Sequence, residues 1–95
     1  MWALETFVPH LGETFSVDIG GNASMAIALI EAGALPGPTG RDGASPFQLQ
    51  FAGPGPACLA QRTHRLMHDS LGEMAIFLVP IGRHGDGFLY QAVFS

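Results

Sequence analysis

The sequence predicts an all-β fold, a small antiparallel barrel or roll of about six strands, in a single domain covering residues 1–95. Two observations carry the prediction. From Gly72 to Ser95 the chain reads as two strand-forming runs, Glu73–Val79 and Phe88–Ser95, joined by the turn-rich stretch Ile81-Gly-Arg-His-Gly-Asp-Gly87. Upstream, Phe47-Gln-Leu-Gln-Phe51 alternates apolar and polar residues with the period of two that sets one face of a strand in a core and the other in water. A chain of 95 residues can bury one such core and not two.

The first strand is Thr14–Ile19, with Phe15, Val17 and Ile19 alternating inward, and Gly20-Gly21-Asn22 supplies turn residues tolerant of positive φ. The next segment, 24–32, is in conflict. Ser24 as a cap, the alanines and Gly33 favour a short helix locally. As a strand it places Met25, Ile27 and Leu29 on one face and Ala26, Ala28 and Ile30 on the other, which suits a strand covered on both sides. Its strand neighbours decide for strand. Residues 33–46 carry repeated Gly and Pro without an apolar period and form a long loop. Gly53-Pro-Gly-Pro56 ends the Phe47 strand. Thr63–His68 is a further strand, Asp69–Gly72 the turn after it, and Pro80 closes the Glu73–Val79 strand because it cannot donate to a ladder. In that strand Met74, Ile76 and Leu78 share one face and Ala75, Phe77 and Val79 the other, so both faces are apolar and it is either central or meets something outside. Phe88, Tyr90, Ala92 and Phe94 form one face of the last strand, opposite Leu89, Gln91 and Val93.

Composition narrows the function. Charged residues are 13% of the chain, about half the roughly 25% typical of soluble domains, while the apolar set reaches 47%. Apolar side chains that find no place in so small a core must lie outside, where contiguous apolar area marks association. The net charge is -4, with four arginines and no lysine, so nucleic acid and anionic membranes are poor partners. The amino-terminal segment lacks a secretory pattern and no apolar run approaches the ~20 residues of a bilayer span, so a cytoplasmic location is expected. The lone Cys58, among Pro56, Ala57 and Leu59, reads as a small buried hydrophobe.

Catalytic and metal signals are weak. His64 and His68 would share a zinc ion on a helix, but on a strand they stand about 13 Å apart, too far for one ion whose ligands lie at about 2 Å. His84 sits in the hairpin turn beside Asp86. The expectation is surface or cross-strand structural histidines, and no metal or cofactor. Ser70 with His68 and Asp69 has the residue types of a hydrolase site, but adjacent turn positions cannot converge as nucleophile, base and orienter. Glu5, Glu13, Glu31 and Glu73 are scattered and read as solvated.

Phe7-x-x-His10-Leu-Gly12-x-x-Phe15, Phe47-x-Leu49-x-Phe51-x-Gly53-Pro54, Gln61-x-Thr63-x-Arg65-x-x-His68, Leu71-Gly-Glu73 with Phe77-Leu-Val-Pro80, and Tyr90-x-Ala92-Val-Phe94 together form a pattern over nearly the full length. In this pattern the chain resembles a family of small bacterial all-β domains of unknown function, typically encoded beside proteins that carry a phage tail collar domain. The resemblance brings no catalytic residues. It implies a role beside tail-like or fibre-like assemblies, as component, adaptor or assembly factor.

The expected function is therefore non-enzymatic: a protein-interaction or structural module that binds a protein partner or itself. The candidate interface is the outer face Ala75, Phe77 and Val79 with Leu89, Gln91 and Val93, together with the free edge of the last strand and the loop around Arg41 and Asp42. Trp2 and Phe7 either plug one end of the barrel or protrude as anchors. An alternative is a carrier for a small apolar ligand in a barrel lined by Phe15, Phe47, Phe51 and Phe77. A third reading is a metal-dependent enzyme built on surface histidines.

Overall fold

Alternating inward residues build six strands in the computed structural model, which describes residues 2–37 and 45–94. They are β1 (Thr14–Gly20), β2 (Ala23–Ala34), β3 (Phe47–Gly53), β4 (Arg62–His68), β5 (Gly72–His84) and β6 (Gly87–Phe94), preceded by a one-turn helix α1 (Leu4–Phe7) and a 3-10 turn at Val8–His10. All pairings are antiparallel and the sheet closes on itself in the order β1-β2-β3-β6-β5-β4. Closure covers the ladder edges that an open sheet would expose.

The barrel interior is solid. Phe15, Val17, Leu29, Leu49, Phe51, Leu66, Leu78 and Tyr90 are fully buried, with Ile27, Ile76, Phe47 and Met74 nearly so. Each large apolar side chain so buried contributes about 1.5–3 kcal/mol of transfer free energy. Phe15 and Phe51 meet edge to face at 5.4 Å between centroids. One barrel end is closed by α1: Phe7, fully buried, packs against Phe47 and Phe94, which are cross-strand partners stacked at 4.6 Å, and Trp2 leans on Phe7 from outside. Phe7 is thus a plug and not an interface anchor, while Trp2 is half-buried against the same cluster. At the other end the Gly53–Pro56 turn lies on the β5–β6 hairpin so closely that a Cβ on Gly87 would collide with the Gly53 carbonyl oxygen, and one on Gly55 with the Asp86 carbonyl oxygen.

Segment 24–32 is a strand, as its neighbours predict, and local helix propensity loses because β2 is paired on both sides, to β1 through Ala23–Ala28 and to β3 through Ala28–Ala34. Its outer face is not covered, since Ile30 stays 43% exposed. Ile19 does not follow Phe15 and Val17 inward, because the β1–β2 register shifts between Asp18 and Gly20 and turns Ile19 out. Pro80 does not end its strand: β5 continues to His84 because Pro80 falls where the register with β6 shifts, a position that tolerates a missing N–H. The expected free edge of β6 shrinks to Ala92–Phe94, since β6 is bonded to β3 along its length and to β5 through Gly87–Gln91. Phe77 lines no interior, being half exposed on the outer face. Of the expected loop 33–46, Gly33 and Ala34 belong to β2, and residues 38–44, with Arg41 and Asp42, lie outside the described residues. Among the described residues no helix is long and apolar enough to cross a membrane.

Candidate functional site

Strand β4 points His64, Leu66 and His68 inward in alternation. His68 ends the strand, and the two N–H groups of the following turn, from Ser70 (3.0 Å) and Leu71 (3.2 Å), both donate to its Nδ1. Two donors on Nδ1 place the ring proton on Nε2, which donates to Glu13 Oε1 at 2.7 Å, across 55 residues of sequence. The same carboxylate oxygen accepts from His10 Nδ1 at 2.9 Å. His10 comes from the last residue of the 3-10 turn and Glu13 from the approach to β1, so the local chain path sets these two three residues apart on one side. The His68 ring is held between the His10 ring and Phe15, each at 4.5 Å between centroids. Hydrogen bonds from His10 first, then His68, hold the Glu13 carboxyl below the usual carboxylate range.

His10, Glu13 and His68 form the one cluster among the described residues whose donor atoms, all within 4.8 Å of one another, could surround a metal ion. The proton inventory disfavours that use. A metal-bound imidazole keeps its proton on the nitrogen away from the metal, where it donates to an acceptor. In His68 that far nitrogen already accepts two backbone N–H groups, so the nitrogen facing Glu13 carries the proton and has no lone pair for a cation. Among the described residues no hydroxyl or thiol is hydrogen-bonded to either ring, so a nucleophile–base pair is not formed there. The cluster ties the approach to β1 to the end of β4, beside a seam paired among the described residues at Ser16–Met67 and Val17–Leu66.

This cluster was not legible as such. His64, His68 and His84 are the histidines that stand out in the sequence; His10 and Glu13 carry no signal there beyond their spacing of three. His64 and His68 are buried rather than on the surface, and His84 is exposed. His64 Nε2 donates to the Ala60 carbonyl at 2.7 Å, which leaves its Nδ1 as the only buried side-chain polar atom without a partner among the described residues. Glu13 and Glu31 are hydrogen-bonded and not merely solvated: Glu31 accepts from Gln48 Nε2 at 2.7 Å and from Gln50 Nε2 at 3.2 Å. Cys58 is exposed, because the turn that holds it turns Leu59 inward instead. The Leu59 N–H donates to the buried Tyr90 hydroxyl at 2.9 Å.

Residues 2–94 match the family DUF6916, a domain of unknown function. The chain belongs to this family. No curated protein matches, and no solved structure matches. The DUF6916 barrel therefore carries its functional argument in its own surface.

On that surface the outward faces of β5 and β6 hold the predicted interface residues. Phe77 is 50% and Val93 57% exposed; Ala75 is exposed, and Val79, Leu89 and Gln91 are half-buried. The structure brings Val79 opposite Gln91 in register, and Gln91 is engaged sideways, donating to Gln48 Oε1 at 3.3 Å.

Proposed function

We propose that this DUF6916 domain is a non-catalytic protein-interaction or structural module, whose outer β5–β6 face docks onto a second protein surface, a further copy of the chain included. The observation that carries the reading is that face: two large apolar side chains, Phe77 and Val93, each more than half or half exposed on strands whose inward positions are already filled. A chain with 13% charged residues has few groups with which to keep such a face solvated. The interior argues against the carrier alternative, because Phe15, Phe47 and Phe51 pack against neighbours and Phe77 points away from it. The resemblance to domains encoded beside tail collar proteins extends the proposal to a component, adaptor or assembly factor of a tail-like or fibre-like structure.

Light scattering over a concentration series tests the proposal. The expected result is a molar mass at a defined multiple of the monomer, returned to the monomer by Phe77→Lys with an unchanged circular dichroism spectrum. A monomer at every concentration, with Phe77→Lys no more soluble than the parent, removes the reading.

A further inference from the structure

The β1–β4 seam is bonded at two register positions although each strand is seven residues long. Beyond Val17 and Leu66 the strands part, and Asp18–Gly20 and Arg62–Arg65 line opposite sides of an open notch of about 360 Å³. Among the described residues the main-chain groups on the inner rims of the notch therefore have no strand partner, the Gly20 N–H donating to Asp18 Oδ1 at 2.8 Å instead, whereas Arg62–Arg65 are paired to β5 and Asp18 and Gly20 to β2 on their other sides. A half-satisfied ladder is a template for an added strand.

Two further features mark this place. Two of the four arginines in the chain, Arg62 and Arg65, stand on one rim. Arg65 is shared loosely between Asp18 at 3.9 Å and Glu73 at 3.6 Å, and no ion pair involves Arg62 among the described residues. Ile19, turned out by the register shift, offers an apolar contact on the opposite rim, 44% exposed. His64 also borders the notch, although its side chain points into the barrel.

We propose that the notch takes up an extended segment of a partner protein, which adds a strand between Asp18–Gly20 and Arg62–Arg65 and presents an acidic side chain to Arg62. The proposal rests on the reading of the chain as an interaction module and names a second surface, one strand over from Phe77, whose register partner Thr63 lines the notch, and separate from Val93 on β6. Affinity comes from main-chain pairing, and the arginine rim selects the charge of the segment.

The test uses a short fluorescein-labelled peptide alternating valine and glutamate, with its lysine-for-glutamate counterpart as comparison. The acidic peptide is expected to bind saturably by anisotropy, the basic one at least about tenfold more weakly, and Arg62→Glu, at an exposed position, to reverse that order. Hydrogen exchange read residue by residue is expected to slow at Asp18–Gly20 and Arg62–Arg65 on peptide addition and to stay unchanged at Leu89–Val93 of β6. Absence of saturable binding, equal binding of the two peptides, an order unaffected by Arg62→Glu, or protection at the β5–β6 face instead would each overturn the proposal. Its failure alongside a Phe77-dependent oligomer leaves the β5–β6 face in place; a monomer that still binds the acidic peptide at the notch removes that face and keeps the notch as the interaction surface.

Discussion

Tyr90→Phe isolates one buried hydrogen bond. The phenol ring is fully buried in the barrel wall, and its oxygen accepts the Leu59 N–H, itself buried, at 2.9 Å. Phenylalanine keeps the ring and its packing, so no cavity opens, but the amide of Leu59 loses its acceptor in a dry site. An orphaned buried donor costs about 1–3 kcal/mol. For a domain of this size 1 kcal/mol moves the melting temperature by about 4–8 °C, so a central value of about 2 kcal/mol predicts a loss of about 8–16 °C. Thermal denaturation by circular dichroism reads the shift, and urea denaturation should show a lower midpoint with an unchanged slope. A shift under about 2 °C would refute the reasoning, since it would mean that the Leu59 amide is wet or finds another acceptor. The parent carries a second readout in the same group. Burial raises the pKa of the Tyr90 phenol above its ordinary value of 10.0, so the stability this supplies is complete below that value and is lost as pH rises through the raised one. As this is the only tyrosine in the chain, ultraviolet titration should show its ionisation delayed in the folded protein relative to the urea-unfolded chain.

Gly87→Ala should destabilise by about 1–3 kcal/mol or more, because the new Cβ meets main-chain atoms of Gly53 and Pro54 that cannot swing away; a urea midpoint equal to the parent's would show that the 53–56 turn yields freely. Glu13, with its pKa lowered by His10 and His68, contributes stability that is present above its ordinary value of about 4.5 and lost as pH falls through the lowered one. Urea midpoints taken at pH 7 and in stepwise acid should therefore converge for the parent and Glu13→Gln, and a constant gap between them would contradict the linkage. Zinc added to the parent in a calorimeter should give no saturable heat, given the proton on His68 Nε2; saturable heat abolished by His68→Ala would show that the ring exchanges tautomer and ligates.

Much of the strand content was readable from alternation, as in Phe47–Phe51 and Phe88–Phe94, where one face is apolar over the whole run. Which strands pair was not. Pairing of β3 with β6 and of β1 with β4 joins segments about 40 to 50 residues apart, and nothing in a local period encodes a distant partner. The expected edge on β6 and the interior position of Phe77 both went astray there: a strand with two apolar faces says that both are used, without saying which one a closing barrel takes. Register shifts explain the remaining errors, since one extra residue at Ile19 or beside Pro80 reverses the side to which the next side chain points. The histidine–glutamate cluster was hidden for the same reason of distance, although its local half, His10 and Glu13, stood in plain sequence.

Strand β4 ties these findings together. Its inward residues run His64, Leu66, His68, apolar in the middle and polar at both ends, a pattern that suits a strand whose centre crosses the core and whose ends reach the barrel rims. At the His68 end every ring nitrogen is satisfied and a carboxylate joins β4 to the approach to β1. At the His64 end one nitrogen is satisfied by Ala60, the other by no group among the described residues, and the ladder to β1 is not paired there. The two ends of one seam are thus built to different degrees of completion by the same residue type. A fold that needed closure alone would gain by finishing both. The unfinished end of the seam coincides with the parted backbone and the arginine rim, where an added strand would pair the open main-chain groups.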